Sequence, residues 1–290
     1  MTKGIFVGLA TIDVVYGVDE FPAANAKVEA RSQEIFAGGP ATNASIAFSH
    51  LGGSATLVTA VGRHALAHAI KDELGRFSIE LVDLNPEFER APVISSVTVN
   101  RRGERNVVSA NATRVPALPA RIDEAALGRA SVVLVDGHFM AACQRWARAA
   151  RERGIPVAMD GGSWKEGTGE LLGSVDTAIC SADFKPPGCA SEEEVFRYLK
   201  ERGVAKIAIT HGAEPVRFVS GAAEGSVRVP RVELVDTMGA GDIFHGVFCY
   251  YASTGRGFKE ALEEAARVAT ESCRSNGTRE WMKRVKAAAR

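Results

Sequence analysis

The chain lacks a cysteine framework. Its five cysteines, Cys143, Cys180, Cys189, Cys249 and Cys273, are odd in number and include no CxxC pair. That excludes a disulfide scaffold or a zinc ribbon and points to free thiols in a reducing compartment. Long apolar runs are missing too. No window approaches the ~18 apolar residues of a membrane span. The apolar stretch 5–10 is too short for a signal segment, and Asp13 follows it. Net charge is absent: Lys+Arg and Asp+Glu both number 35, so no long-range field draws in nucleic acid or an anionic membrane. No Gly-x4-Gly-Lys-Ser/Thr string occurs, which excludes a P-loop. Asp160-Gly161-Gly162-Ser163 follows a strand-like run, but its spacing does not fit a dinucleotide-binding turn. A cytoplasmic enzyme with neither nucleic-acid nor membrane partners is the expectation.

What remains is an ordinary globular composition, with enough apolar material for a sizeable core. Short runs at 5–10, 55–61, 132–136, 156–160, 177–180 and 206–210 are mostly apolar on both parities, as strands covered on two faces are. Helical patterns at 40–51, 65–77, 140–153, 191–202, 242–253 and 258–273 alternate with them. The alternation predicts an α/β fold, a mostly parallel sheet with helices on both faces, in a single domain over 1–290. Residues 92–100 and 106–110 flank a turn, Arg101-Arg102-Gly103-Glu104-Arg105, and read as a hairpin. Residues 27–36 have a similar mixed strand character. Segments 12–36 and 91–111 are thus expected to form a small antiparallel sheet, serving as a lid or an oligomer contact. Residues 283–290 read as a solvated terminal helix.

Two glycine-bearing strings carry the chemistry. The first to weigh is Asp236-Thr237-Met238-Gly239-Ala240-Gly241-Asp242-Ile243-Phe244-His245-Gly246-Val247-Phe248. A strand-like run at 232–235 leads into the Gly-Ala-Gly turn, and a helix starts near Asp242. Small residues let backbone N–H groups converge at a helix N-terminus, where an anion is favoured. A carboxylate there is placed to accept a proton from a hydroxyl. The bland alternative is a structural turn with Asp242 as N-cap. The other string is Gly38-Gly39-Pro40-Ala41-Thr42-Asn43-Ala44-Ser45. Its glycines permit close approach of backbone to a ligand, Pro40 suits a first helical turn, and Asn43 offers donor and acceptor to a hydroxyl. A helix start needing flexible entry explains it equally well.

Together these motifs resemble the two signatures of ribokinase-type (PfkB) carbohydrate kinases. The opening Gly8-Leu9-Ala10-Thr11-Ile12-Asp13-Val14-Val15 is similar to ketohexokinase-like members. The resemblance implies a doubly wound, mostly parallel sheet with a small β lid. It implies Asp242 as general base and the amides of Gly239, Ala240 and Gly241 as an anion hole. Asp13, Gly38, Gly39, Asn43 and Asp136 would bind the sugar, although Asp136 stands where the family often has Glu. It implies ATP as phosphoryl donor with Mg²⁺, K⁺ dependence being frequent in the family, and a homodimer built through the lid. On the nucleotide side Thr210 and Gly212 match the start of the family's Thr-x-Gly-x-x-Gly loop, which Pro215 then breaks. The family's N-x-x-E motif is replaced by Ser181-Ala182-Asp183-Phe184, so Asp183 would act on the metal through water. Cys273 matches a small residue lining the adenine pocket.

Other functions compete. A nucleoside kinase would need an aromatic slot, and only 7% of residues are aromatic. A sugar-binding protein without catalysis would have no use for Asp242. His64 and His68 read as surface residues, His138 as a neighbour of the sugar pocket, and His245 as tuning or packing. Arg101, Arg102 and Arg105 read as a solvated turn, unless one enters the pocket and favours an anionic acceptor.

Overall fold

Successive apolar residues leave the strand runs no polar face, so both sides must be covered. The computed structural model, which describes residues 1–110, 112, 115–118 and 122–286, has that arrangement. Strands β1 (Lys3–Val7), β4 (Ser54–Thr59), β5 (Glu80–Asp83), β8 (Val132–Val135), β9 (Val157–Gly161), β10 (Thr177–Ser181) and β11 (Lys206–His211) run parallel. Strands β12 (Glu214–Ser220) and β13 (Ala223–Val227) add an antiparallel edge, giving the order β13-β12-β11-β10-β9-β8-β1-β4-β5.

Alternate residues of each strand feed two cores. Phe6, Leu57, Leu134 and Ile179 meet helices α1 (Pro40–His50), α2 (Ala65–Arg76), α7 (Ala240–Ser253) and α8 (Phe258–Ser272) on one face. Ile5, Val7, Val133 and Ile207 meet the short α3 (Glu124–Leu127) and α5 (Thr168–Leu171) with α4 (Met140–Glu152) and α6 (Glu192–Glu201) on the other. Helix α6 starts on a capping box between Ser191 and Glu194, as its Ser-x-x-Glu spelling requires.

A separate four-stranded sheet has the order β3-β2-β6-β7, from β2 (Thr11–Gly17), β3 (Ser32–Gly38), β6 (Ile94–Val99) and β7 (Arg105–Ser109). It is not wholly antiparallel, because β2 and β6 run parallel. The strand expected over 27–36 begins only at Ser32, and residue 111 of the expected segment lies outside the described residues.

Three local expectations need correction. Residues 232–235 form no strand: they have no neighbouring strand, and the N–H groups of Val235 and Asp236 donate to the Cys273 carbonyl instead (2.8 and 3.2 Å). Helix α7 starts at Ala240 with Gly239 as N-cap, which puts Asp242 inside the first turn and not at the cap. Of the solvated helix expected over 283–290, Lys283 closes a 3₁₀ turn (Glu280–Lys283), residues 284–286 are not helical and Val285 is buried; residues 287–290 of that expectation are outside the described residues.

Candidate active site

Strand β1 has β4 on one side and β8 on the other, so the order of connection reverses there. Open α/β sheets bind ligands at the carboxyl ends of strands at such a switch point. Gly8 follows β1 and Asp136 follows β8 at this crevice. The Asp136 carboxylate accepts from the N–H groups of Leu9 (2.8 Å), Ala41 (3.3 Å) and His138 (2.9 Å). A Cβ on Gly8 would lie 2.0 Å from the Asp136 carboxyl carbon. Asp136 is therefore a buried brace that joins the turn after β1 to the N-terminus of α1, where a carboxylate also suits the helix dipole. Oδ2 accepts twice and Oδ1 once, so about one acceptor position of the carboxylate remains for a sugar.

The entry to α1 needs glycine. Gly39 has φ 97°, and a Cβ there would meet the Leu9 carbonyl oxygen at 2.3 Å. Gly38 leaves room for Asp13, whose Oδ2 lies 1.9 Å from where a Cβ would stand. Asp13, on β2, accepts from the Thr11 hydroxyl (2.6 Å). Burial raises its carboxyl above the usual range; the Thr11 and Ser95 hydroxyls and the charge of Arg279 oppose this, while Glu73 adds to it. Asp13, Thr11, Ser95, Arg105 and Met238 line a cavity of about 170 Å³ between the two sheets.

Helix α7 ends at this crevice with no side-chain cap, after Gly239 in the left-handed region (φ 68°). Its first N–H groups lack intrahelical acceptors, as at any helix start, though that of Ala240 donates to the Thr237 carbonyl (3.3 Å); Gly241 is exposed. Asp242 is half-buried, and its Oδ2 accepts from Asn43 Nδ2 at 2.8 Å. Burial pushes its carboxyl up to about 7; Asp160 and Asp13 act in the same direction, and Asn43 and His245 against it. A carboxyl poised there can take a proton near neutral pH. His245 binds the Gly241 carbonyl through Nδ1 (2.7 Å) and the Ile179 carbonyl through Nε2 (3.1 Å), and Asp160 lies 3.5 Å from Nδ1. The ring thus ties the first turn of α7 to β10.

The sequence profile described as pfkB family carbohydrate kinase matches residues 1–284. The chain belongs to the pfkB family of carbohydrate kinases. Ribokinase from Haemophilus influenzae is 22% identical over 289 residues, covering 93% of this chain and 92% of the relative. The ATP-dependent ribose-1-phosphate kinase of Halopiger xanaduensis is 26% identical over 269 residues, covering 91% and 90%. Among solved structures, Arabidopsis thaliana ribokinase complexed with ribose and ATP superposes with a TM-score of 0.78 at 20% identity, covering 99% of this chain and 96% of that one.

Further along the rim of this pfkB-family kinase lie the residues expected to meet nucleotide. Thr210 is at the end of β11 and its hydroxyl faces the Cys180 carbonyl (3.4 Å); Gly212 is in the turn to β12. Asp183, just beyond β10, is exposed, and its N–H donates to the Ser181 hydroxyl (3.2 Å). Phe184 turns inward against Trp164. Cys273, at the C-terminal end of α8, has a buried thiol directed at the Ala269 carbonyl (3.3 Å). No group of three or more His, Cys, Asp or Glu among the described residues could by itself hold a metal. Hard Mg²⁺ is commonly held by one or two carboxylates, waters and substrate phosphates, and the exposed Asp183 fits that role.

Sequence reasoning missed two groups that the fold brings to the site, and left open which turn arginine would enter the pocket. Arg279 and Glu73 are paired (2.7 Å) beside Asn43. Asp160 is buried against His245. Of the three turn arginines, Arg101 pairs with Asp19 (2.7 Å) and Arg102 with Glu104 (3.0 Å), while Arg105 reaches the pocket wall and donates to the Thr237 carbonyl (3.1 Å). Neither the Arg279–Glu73 pair nor the Asp160–His245 contact carries a local sequence signal, because each joins distant segments.

Proposed function

We propose that this kinase moves the γ-phosphoryl group of ATP onto a hydroxyl of one small monosaccharide, with Asp242 as the base. The observation that carries the reading is a carboxyl raised to about 7 in the first turn of an uncapped helix, within electrostatic reach of Asp13, which lines the cavity. Asp13, with the Thr11 and Ser95 hydroxyls, would hold the sugar, and Gly38, Gly39 and Asn43 would shape its seat. The acceptor hydroxyl gives its proton to Asp242 as its oxygen bonds to phosphorus, and the bond to the bridging oxygen of ADP breaks. The amides of Gly239, Ala240 and Gly241 would receive the charge that spreads over the phosphoryl oxygens. One such well-aimed donor commonly lowers a barrier by about 3–4 kcal/mol. Thr210, Gly212 and Cys273 would border the nucleotide. When bound, Mg²⁺ would neutralise phosphate charge, and Asp183 would hold it through water.

The cavity of about 170 Å³ suits a monosaccharide and is small for a nucleoside, since sites for larger organic ligands typically span roughly 300–1,000 Å³. Its wall is also without aromatic residues. Arg105 supports a narrower reading, in which the acceptor bears an anionic group. ATP consumption screened over pentoses, ketohexoses, keto-sugar acids and nucleosides tests all of this. Turnover with a monosaccharide or its acid is expected; turnover with nucleosides alone would favour the other kinase reading, and none at all a binding protein.

The small sheet would act as lid and dimer contact. Its outer face sets Ile35, Val14, Ser96 and Val108 in one row across all four strands, and Ile35 and Val108 are 60% and 74% exposed. An apolar sheet face of this kind fits a second copy of the chain. Sedimentation should find two chains per particle, and Val108→Glu should shift it to one; a single-chain wild type would refute the dimer.

A further inference from the structure

Arg279 is a largely buried cation. Its side chain is only 14% exposed, and each of its three nitrogens donates a hydrogen bond. Nε donates to Glu73 Oε1 (2.7 Å), Nη2 to the Ala37 carbonyl (2.5 Å), and Nη1 to Asn43 Oδ1 (2.9 Å) and the Thr278 hydroxyl (2.8 Å). Glu73 Oε2 accepts in turn from the Ala37 N–H (2.6 Å). The rings of Phe36 and Phe77 flank the group at 6.0 and 5.8 Å. Four segments converge on it: β3 of the small sheet, α1, α2 and the turn after α8.

The chemistry of the amide gives this contact its meaning. Guanidinium has donors only, so it can face only the oxygen of the Asn43 amide. The NH₂ of Asn43 must then face the other way, toward Asp242 Oδ2 at 2.8 Å. We propose that Arg279 is the positioning residue for the catalytic base: by holding Asn43 in one orientation it keeps a donor on Asp242 and couples that donor to lid strand β3 through Ala37. The inference rests on the kinase reading above, in which Asp242 accepts the proton.

The groups facing Asp242 are Asp160 from β9, His245 from its own helix, Asp13 from β2, Asn43 from α1 and Arg279 from the C-terminal turn. Loss of the Asn43 donor removes an interaction that favours the ionised carboxyl, and loss of the Arg279 charge acts in the same sense. Both changes raise the pH at which the base becomes available. A role confined to stability would leave that pH where it is.

The test is the pH dependence of kcat for the wild type and for two variants. Arg279→Gln, made together with Glu73→Gln so that no buried charge is stranded, removes the guanidinium. Arg279→Lys keeps a point charge that cannot span Glu73 and Asn43 together. For both, kcat should fall about tenfold at neutral pH, KM for ATP should stay within about twofold, and the acidic limb should move up by about one pH unit. If the double variant does not fold, Arg279→Lys decides alone. An unmoved limb in a folded variant overturns the proposal, whether kcat is retained or lost. A wild type that shows no ATP-dependent turnover with any acceptor would instead overturn the kinase reading itself.

Discussion

Asp242→Asn should lose about 10³-fold or more in kcat while the sugar still binds within about threefold of wild type. The change keeps shape and removes only the ability to take a proton. An amide at that position can still accept from Asn43 Nδ2 through its own oxygen, in place of the 2.8 Å bond to the carboxylate, so the fold has no reason to fail. The loss should sit in kcat, because the sugar is held by Asp13 and its neighbouring hydroxyls and not by Asp242. General base catalysis typically contributes about 10²–10⁴-fold; of the neighbouring carboxylates, Asp160 lies against His245, Asp136 accepts from three backbone amides, and Asp13 accepts from Thr11 and is assigned to the sugar. Calorimetry for sugar binding and steady-state turnover measure the two halves separately. A variant with a tenth or more of wild-type kcat would remove Asp242 from the chemistry.

Gly246→Ala should strike the same contact from behind. Gly246 faces α1 from the buried side of α7, and a Cβ there would lie 2.2 Å from the Ala44 carbonyl oxygen. The obstacle is backbone, so no side-chain rotation relieves it. Helices α1 and α7 must separate, and Asn43 and Asp242 lie on those two helices. Overpacking of this kind costs about 2–3 kcal/mol, which for a domain this size lowers Tm by about 4–10 °C. The separation should also lengthen the Asn43–Asp242 hydrogen bond and reduce kcat about tenfold, with binding of ATP little changed. Thermal denaturation and turnover of the purified variant check both effects. Wild-type Tm and kcat together would show that the helix spacing is not set at Gly246.

Much of this was legible in the residues. The parallel sheet was, because strands such as 5–10 and 132–136 are apolar on both parities and alternate with helical patterns. The first turn of α7 was, because Gly-Ala-Gly-Asp before an apolar helix leaves few other uses for so many small residues. The antiparallel edge strands β12 and β13 were not: their runs mix charged and apolar residues, as strands covered on one face do, and Pro215 interrupts the pattern. Nor was the state of Asp136, which depends on three segments meeting at residues 8–9, 41 and 136–138. The Arg279–Glu73 pair joins residues 206 apart, and nothing in the local spelling of either distinguishes it from a solvated charge. Motifs report chemistry that is local in sequence; braces and relays made across the fold leave no such trace.

The proton-accepting carboxylate is tested most directly by single-turnover phosphoryl transfer with sugar and ATP already bound, followed as pH is varied. The base works ionised, and its carboxyl is raised to about 7. Transfer should therefore climb tenfold per unit on the acidic side and level off above about pH 7–8, a limb that Asp242→Asn abolishes. A wild-type rate that is flat from about pH 5.5 to 8.5, or a limb that survives in the variant, would contradict the account.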